Sequence, residues 1–578
     1  MRLKIDKKDV FIMLAMTIIY FVFALINLGT TKVPQNGYIP KQVGETFTVK
    51  FDRKRYVNRI NYYCGLGVDR DVKVTMKVTY KDSDGSFKEI TNNGNSINVE
   101  KKAGEVFKLK DLIIDGVLTD TLKFEVLEIG GELKELAIYE FGASDPIREF
   151  WISDYQNKDV INLFDEQDKM PFQPTYKNST YFDEIYHART AYEHLHHIKQ
   201  YENTHPPLGK LLIALGIKIF GMTPFGWRIM GTLFGALMIP AMYLFGLKVF
   251  GKKLYAFCCA FLMMFDFMHF TQTRIATIDV FVTFFIIMMY YYMFDVYMNE
   301  SLKNPKVYYR SFALAGLMWG LGIASKWIAL YASVGLFLLF VVAKYKEYCK
   351  VKNNELIKKD IIKVLIYGTT FFVVIPVIIY VCSYIPVLKG EDLDFGLVQI
   401  VALYQQHMYN YHSHTVLTAT HPFSSHWYQW PIIQRPIWYY ANNNFPDGLR
   451  STIVALGNPV IWWLSIVAFV FTIIKVLTKK DKKMIPIVVA ALCQYVPWMS
   501  VERTTFIYHF FSIVPFGIIM IVYMFEKFIK DDKKKVYALY GYLALVFIAF
   551  VVFYPALSGM LVSGEYINKL RLFKSWVF

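Results

Sequence analysis

The 578-residue chain is 55% hydrophobic and 17% aromatic, with a formal net charge of +16. Its Lys and Arg fall in short clusters between apolar runs and do not line one face of a domain, which excludes a nucleic-acid-binding surface. The apolar residues come in blocks of about 18 or more with almost no charge, the length a helix needs to cross hydrocarbon, and this excludes an ordinary soluble protein.

In chain order the apolar windows fall at 10–28, 225–250, 254–271, 278–298, 311–325, 328–343, 361–384, 452–476, 484–500, 505–526 and 536–556, about eleven crossings. Basic clusters stand between them at Arg2, Lys4, Lys7 and Lys8, at Lys252 and Lys253, at Lys303, Lys306 and Arg310, from Lys344 to Lys363, from Lys479 to Lys483 and from Lys527 to Lys535. The loops that alternate with these clusters are poor in Lys and Arg. The positive-inside rule therefore puts the clusters and the N-terminus in the cytoplasm and the other loops outside. The first window lacks a small-residue cleavage site and is rich in bulky residues, so it reads as a retained anchor. The short pair around Lys326 reads as two spans, one broken helix or a re-entrant segment. Six cysteines, Cys64, Cys258, Cys259, Cys349, Cys382 and Cys493, show no paired or metal-ligand spacing, and no disulfide framework is expected.

The organisation expected is a polytopic α-helical membrane protein with an extracytoplasmic β-sandwich insertion. It divides into a first span over 1–29, a β module over 30–150, an outer loop with surface helices over 151–224, spans over 225–384, a second large outer loop over 385–451, and the last spans over 452–578. In the β module, apolar and polar residues alternate in Thr46 to Phe51, Val72 to Tyr80, Val106 to Ile114 and Leu122 to Ile129, between turns such as Asp82-Ser83-Asp84-Gly85. A packing module and a carbohydrate- or peptide-binding one both fit this pattern, and no residue in it marks a site.

After Phe150 the pattern turns helical, and Asp183 to Leu195 can form an amphipathic surface helix. Tyr181-Phe182-Asp183-Glu184 puts two carboxylates at its start. Glycosyl transfer to a hydroxyl needs a carboxylate that takes the proton while the leaving group departs from the opposite face, and a helix-capping role is the alternative. Adjacent side chains rarely reach one atom, so one acts as base and the other orients a partner or a metal. Thr204-His205-Pro206-Pro207-Leu208-Gly209-Lys210 holds His205 just ahead of an apolar helix, with two prolines fixing an extended approach. Arg274 and Asp279 lie in a very short outer turn. Arg274 has the forked donor geometry for phosphate, with an Arg–Asp structural pair as the alternative. Lys326 and Arg503 are isolated cations at outer span ends, where snorkelling is the default reading. His421, His426, Trp427 and Arg435 sit in an aromatic, proline-rich loop suited either to sugar faces or to the headgroup zone.

Together these segments resemble the protein O-mannosyltransferase family of the GT-C class, over roughly Gln173 to the last span. The resemblance is carried by Phe182-Asp183-Glu184, His205 to Lys210, Arg274 to Asp279, Ser325-Lys326-Trp327, the His421 to Tyr440 stretch, Leu456-Gly457-Asn458-Pro459 and Glu502-Arg503 to His509. It implies a polyprenyl-phosphate-mannose donor, a Ser or Thr acceptor on an exported protein, and inversion by one in-line displacement. Asp183 would be the base and Glu184 the orienting residue, while Arg274, with His205, Lys326 or Arg503, would hold the donor phosphate. No MIR-type β-trefoil precedes His421, which resembles bacterial members and implies a cell-membrane enzyme, and the β module over 30–150 matches no feature of the family pattern. No organic cofactor is expected. The acidic pair, through Glu184, permits a divalent metal without demanding one. A GT-C transferase that modifies a lipid or cell-wall polymer is the second reading. A transporter or lipid-binding scaffold is the third, supported only by the number of spans.

Overall fold

The computed structural model describes residues 5–67, 72–391, 393–479, 481–530 and 532–578. Arg2, Lys4 and Lys480 of the basic clusters lie outside them. The chain forms two compact units, one of Leu28–Tyr192 with Gly216–Trp227, the other of Met1–Asn27 with Glu193–Leu215 and Arg228–Phe578. Its helices are α1 (Lys7–Leu25), α2 (Glu184–Leu195), α3 (Leu208–Phe220), α4 (Pro224–Phe250), α5 (Lys253–Met264), α6 (Phe267–Gln272), α7 (Asp279–Met298), α8 (Pro305–Ser325), α9 (Ala329–Tyr348), α10 (Asn354–Thr369), α11 (Ile375–Ser383), α12 (Ile385–Gly390), α13 (Leu397–Asn410), α14 (Pro459–Lys479), α15 (Ile485–Tyr495), α16 (Val514–Ile529), α17 (Val536–Ser558) and α18 (Gly564–Lys569).

The smaller unit is built on strands β1 (Thr46–Cys64), β2 (Val74–Lys81), β3 (Phe87–Glu89), β4 (Thr91–Asn92), β5 (Asn95–Ser96), β6 (Asn98–Lys101), β7 (Lys108–Glu128), β8 (Leu133–Glu140) and β9 (Phe150–Ser153). Seven of them make one antiparallel sheet in the order β3-β2-β7-β1-β8, with β6 on β2 and β9 on β1, and β4 and β5 form a separate small hairpin. Two separate sheets were expected of a sandwich; instead the layers run into each other through β1 and β7. The register of that pair slips between Lys50 and Arg55 and again between Val57 and Arg59, and such irregularities bend and twist strands. The sheet packs over a core that includes Phe47, Val49, Ile60, Val78, Phe124 and Leu136, where Phe47 and Phe124 stack at 4.7 Å, and a smaller cluster gathers Tyr63, Leu109 and Tyr139. Val160 and Leu163 join this core, so the module runs past the expected boundary at 150.

In the larger unit, eight helical stretches among the described residues are long and apolar enough to cross a membrane, and α5 is a shorter apolar helix. Each expected window holds a helix; the eighth needs a correction at its start, and around Lys326 the two-span reading holds. Leu449–Ala455, which enters the eighth window, forms a strand, and helix α14 starts only at Pro459. The pair around Lys326 is two full helices, α8 and α9, of 21 and 20 residues, and Lys326 caps the first in extended backbone. The expected surface helix, α2, is largely buried: Glu184, His187, Arg189, Thr190, Glu193 and His194 are all covered.

Candidate functional site

The smaller unit shows how the acidic pair is fixed. Segment 171–181 lies along β1 and β7. Asn61 Nδ2 donates to the Pro171 and Phe172 carbonyls at 3.1 and 2.9 Å, and the Arg59 guanidinium sits 4.2 Å over the Phe172 ring. The Leu109 amide donates to Ser179 Oγ at 3.0 Å, and Thr180 bonds the carbonyls of Val106 and Phe107. The chain then turns through Phe182 at φ +48°, a left-handed conformation a bulky residue adopts only when its surroundings hold it there. The Asp183 carbonyl accepts the amides of Tyr186 and His187, both at 3.0 Å, which starts helix α2. Asp183 is half-buried, whereas Glu184 is fully covered and its Oε2 accepts the Tyr181 amide at 3.2 Å. Thus the two adjacent carboxylates differ in exposure. Among the described residues, the carboxylates close enough to share a cation are Glu135, Asp165 and Glu166, a set that does not include Glu184.

The larger unit contains a polar cavity of about 440 Å³ lined by His205, Lys326, Trp327, His412, Trp498 and Arg503, with Glu502 at its wall. Three basic side chains singled out from sequence therefore converge. The motif around His205 explains part of this. Glu202 Oε1 accepts the Thr204 amide at 2.8 Å and faces His205 Nδ1 at 3.0 Å; Glu202 Oε2 accepts Lys210 Nζ at 2.5 Å. Lys210, fully buried, also donates to the Glu202 and His205 carbonyls at 2.9 and 3.1 Å. Gly209 is required by close approach: a Cβ there would stand 2.7 Å from the Ile278 side chain, at the start of α7. Burial lowers the His205 pKa below the ordinary imidazole value, against the pull of Glu202.

Lys326 Nζ donates to Asp279 Oδ1 at 2.8 Å, so Asp279 pairs with Lys326 from the first turn of α7. Arg274 is turned elsewhere: it donates to the carbonyls of Ala24, Ile26 and Asn27 at 3.0, 2.7 and 3.1 Å, satisfying groups at the C-terminal end of α1. Arg503 makes no ion pair among the described residues. Its segment is clamped to the long loop by Ser425 and Thr505, which exchange bonds of 2.8 and 2.7 Å. Sequence reasoning missed Glu202 and His412. His412 Nε2 bonds the Thr204 carbonyl at 2.9 Å, its ring lies 5.6 Å from that of His205, and burial with the nearby His205 and Arg503 lowers its pKa to about 4. A run of three histidine-bearing positions, His407, His412 and His414, was the available signal.

The four loop candidates do not line this cavity. His421 is exposed, its ring edge-on to Phe506 at 5.0 Å, and His426 stacks on Tyr428 at 5.5 Å. Arg435 donates to the Pro422 carbonyl. Trp427 borders a separate apolar cavity of about 350 Å³ beside α14, α15 and α16. Trp430 is the loop residue that supports the polar cavity: fully buried, it packs against the wall residue Trp498 at 5.5 Å.

Residues 173–387 match the family model described as dolichyl-phosphate-mannose-protein mannosyltransferase, and residues 398–576 match the C-terminal four TMM region of protein-O-mannosyltransferase. A polyprenol-phosphate-mannose--protein mannosyltransferase of Corynebacterium glutamicum is 25% identical over 64% of this chain and 81% of its own. The protein of the same name from Mycobacterium tuberculosis is 24% identical over 68% and 86%. Among solved structures, the S. cerevisiae protein O-mannosyltransferase Pmt1-Pmt2 complex bound to the sugar donor shares the fold, with a TM-score of 0.61 at 14% identity, over 69% of this chain and 89% of the other. Both family matches begin after the β module.

Proposed function

The chain belongs to the protein O-mannosyltransferase family, and on that premise we propose that it moves mannose from a polyprenyl-phosphate carrier to Ser and Thr hydroxyls of exported proteins, with inversion. It is a multi-pass membrane enzyme of GT-C fold. The observation that carries the site assignment is the meeting of His205, Lys326 and Arg503 in one polar cavity. Lys326 and Arg503 supply the positive charge that a phosphate leaving group requires, and His205 supplies a ring nitrogen whose orientation Glu202 fixes.

In the reaction, Asp183 takes the proton of the acceptor hydroxyl as its oxygen bonds the anomeric carbon. The bond from that carbon to the phosphate oxygen breaks, and the polyprenyl phosphate leaves with the electron pair, its charge met by Lys326 and Arg503. Glu184 holds the turn that presents Asp183. Asp279 holds Lys326, and Arg274 acts on the end of α1.

Connectivity supports an outward-facing site. The basic clusters occupy the turns α4–α5, α7–α8, α9–α10, α14–α15 and α16–α17, whereas Lys326, Trp327, Glu502 and Arg503 come from the turns α8–α9 and α15–α16, at the opposite helix ends.

The test is transfer from polyprenyl-phosphate-mannose to a Ser/Thr-rich peptide by the purified full chain, read by mass spectrometry. Glycopeptide should form, and Asp183→Asn should lower its rate by about 100-fold or more. Undiminished transfer by that variant would refute the assigned base. Transfer confined to a lipid acceptor would move the enzyme to the lipid- or polymer-modifying class.

A further inference from the structure

The β unit carries a second concavity that the transfer reaction does not use. It has a volume of about 400 Å³ and is lined by Trp151, Tyr155, Ile161, Phe164 and Asp165, among others. Phe150 and Ile152 pack against the core, and the Phe150 ring meets Phe164 edge-on at 5.3 Å, giving the concavity a fixed floor. Trp151, between them on β9, is 54% exposed, and Tyr155 is 39% exposed. The indole N–H and the phenol hydroxyl have no protein partner among the described residues. Asp165 is also exposed, and its Oδ2 accepts Asn36 Nδ2 at 2.7 Å, which fixes the carboxylate at the rim. Carboxylate oxygens of Glu135 and Glu166 lie within 4.8 Å of it and of each other.

These groups select a ligand class. The carboxylate of Asp165, the one acidic group among the lining residues, disfavours an anionic ligand such as a phosphate. A purely apolar anchor would make no use of Asp165 Oδ1, of the Trp151 indole N–H or of the Tyr155 hydroxyl, whereas Asp165 Oδ2 is already held by Asn36. A pyranose satisfies both walls, because one ring face is C–H and the rim is hydroxyl, and the volume lies within the usual range of small-ligand sites. We propose that this concavity binds a mannosyl residue already attached to the acceptor polypeptide, with the indole of Trp151 under the sugar's C–H face and Asp165 accepting its hydroxyls. The identity of the sugar rests on the transfer reaction proposed above. Such a site lets the enzyme retain a modified segment while neighbouring hydroxyls react.

The experiment compares two peptides of the same Ser/Thr-rich sequence, one unmodified and one carrying a single O-linked mannose, as acceptors for the full-length enzyme. The wild type should show a KM about tenfold lower for the mannosylated peptide. Trp151→Ala and Asp165→Asn should each raise that KM to the unmodified value while leaving kcat and KM for the unmodified peptide unchanged, which also reports that the variant is folded. Equal KM values in the wild type, or a preference that survives both substitutions, would overturn the proposal. Saturation-transfer NMR with methyl mannoside separates this idea from the transfer reading. A Trp151-dependent signal from an enzyme that modifies neither peptide would retain the sugar site and reject the transfer function. Transfer without any such signal would do the reverse.

Discussion

Lys326 offers the sharpest separation between a phosphate ligand and a structural counter-ion. Its Nζ lies 2.8 Å from Asp279 Oδ1, with side chains 12% and 11% exposed. In Lys326→Met, Asp279 loses its partner in a largely covered position, which costs about 2 kcal/mol of stability. The donor phosphate also loses one charge-assisted hydrogen bond, about 1.5–3 kcal/mol, so the donor KM should rise by roughly 10- to 150-fold. Asp279→Asn keeps an oxygen facing the ammonium and releases the lysine charge, so the donor KM should hold or fall. In the Lys326→Met/Asp279→Asn double variant no carboxylate is stranded; thermal stability should recover while the donor KM stays high. The assay is steady-state transfer with varied polyprenyl-phosphate-mannose beside thermal unfolding of the solubilised protein. A double variant with the wild-type donor KM would show that Lys326 only neutralises Asp279, and the phosphate assignment would fail.

Three further outcomes follow from buried charges elsewhere in the chain. Glu202→Gln strands the buried Lys210 ammonium and should cost about 3 kcal/mol in unfolding measurements. It also removes the carboxylate that holds the His205 pKa up against burial, so the gain in donor affinity on protonating His205 should begin at lower pH than in the wild type, as donor Kd against pH would record. Lys344→Met leaves the buried Glu347 and Asp360 carboxylates without the ammonium that bonds them at 2.9 and 2.7 Å, and should cost about 3–5 kcal/mol in thermal unfolding while the rate per folded molecule is unchanged. Burial raises the Glu135 pKa to about 8, so the native β unit keeps a proton that the unfolded chain has released. Its stability should therefore fall as pH rises from about 4.5 through about 8, by up to about 1.4 kcal/mol per pH unit, and hydrogen exchange of β8 amides in the full chain would follow the loss.

The spans were legible because hydrocarbon imposes a length and a composition that few other constraints mimic. The β module was legible in part. Thr46 to Phe51 and Val72 to Tyr80 alternate as a half-buried sheet demands; the first opens β1, and the second runs into β2. Val106 to Ile114 and Leu122 to Ile129 read as two separate alternating runs, yet one long strand, β7, takes in most of both. Leu133 to Glu140 was missed: Leu-Lys-Glu-Leu-Ala is helix-favouring, and tertiary pairing with β1 overrides that propensity.

The site shows a sharper division. Isolated charges at span ends, Lys326 and Arg503, could be found because hydrocarbon makes any ionisable residue conspicuous. Residues whose role is to aim another side chain leave no such mark. Glu202 stands three positions before His205 in a stretch already rich in polar residues, and only the fold reveals that one carboxylate orients the imidazole and neutralises Lys210 together. Arg274 shows the opposite case. It looked like a phosphate fork because guanidinium geometry suits phosphate, but the same geometry suits three backbone carbonyls at a helix end, and the guanidinium bonds all three. Four residues of the site constrain one another: Gly209 admits the start of α7, α7 presents Asp279, and Asp279 fixes Lys326 beside His205. Gly209→Ala should therefore weaken donor binding although Gly209 lines no part of the cavity, and a non-additive double-mutant cycle between Gly209→Ala and Lys326→Met is the measurement that would expose the coupling.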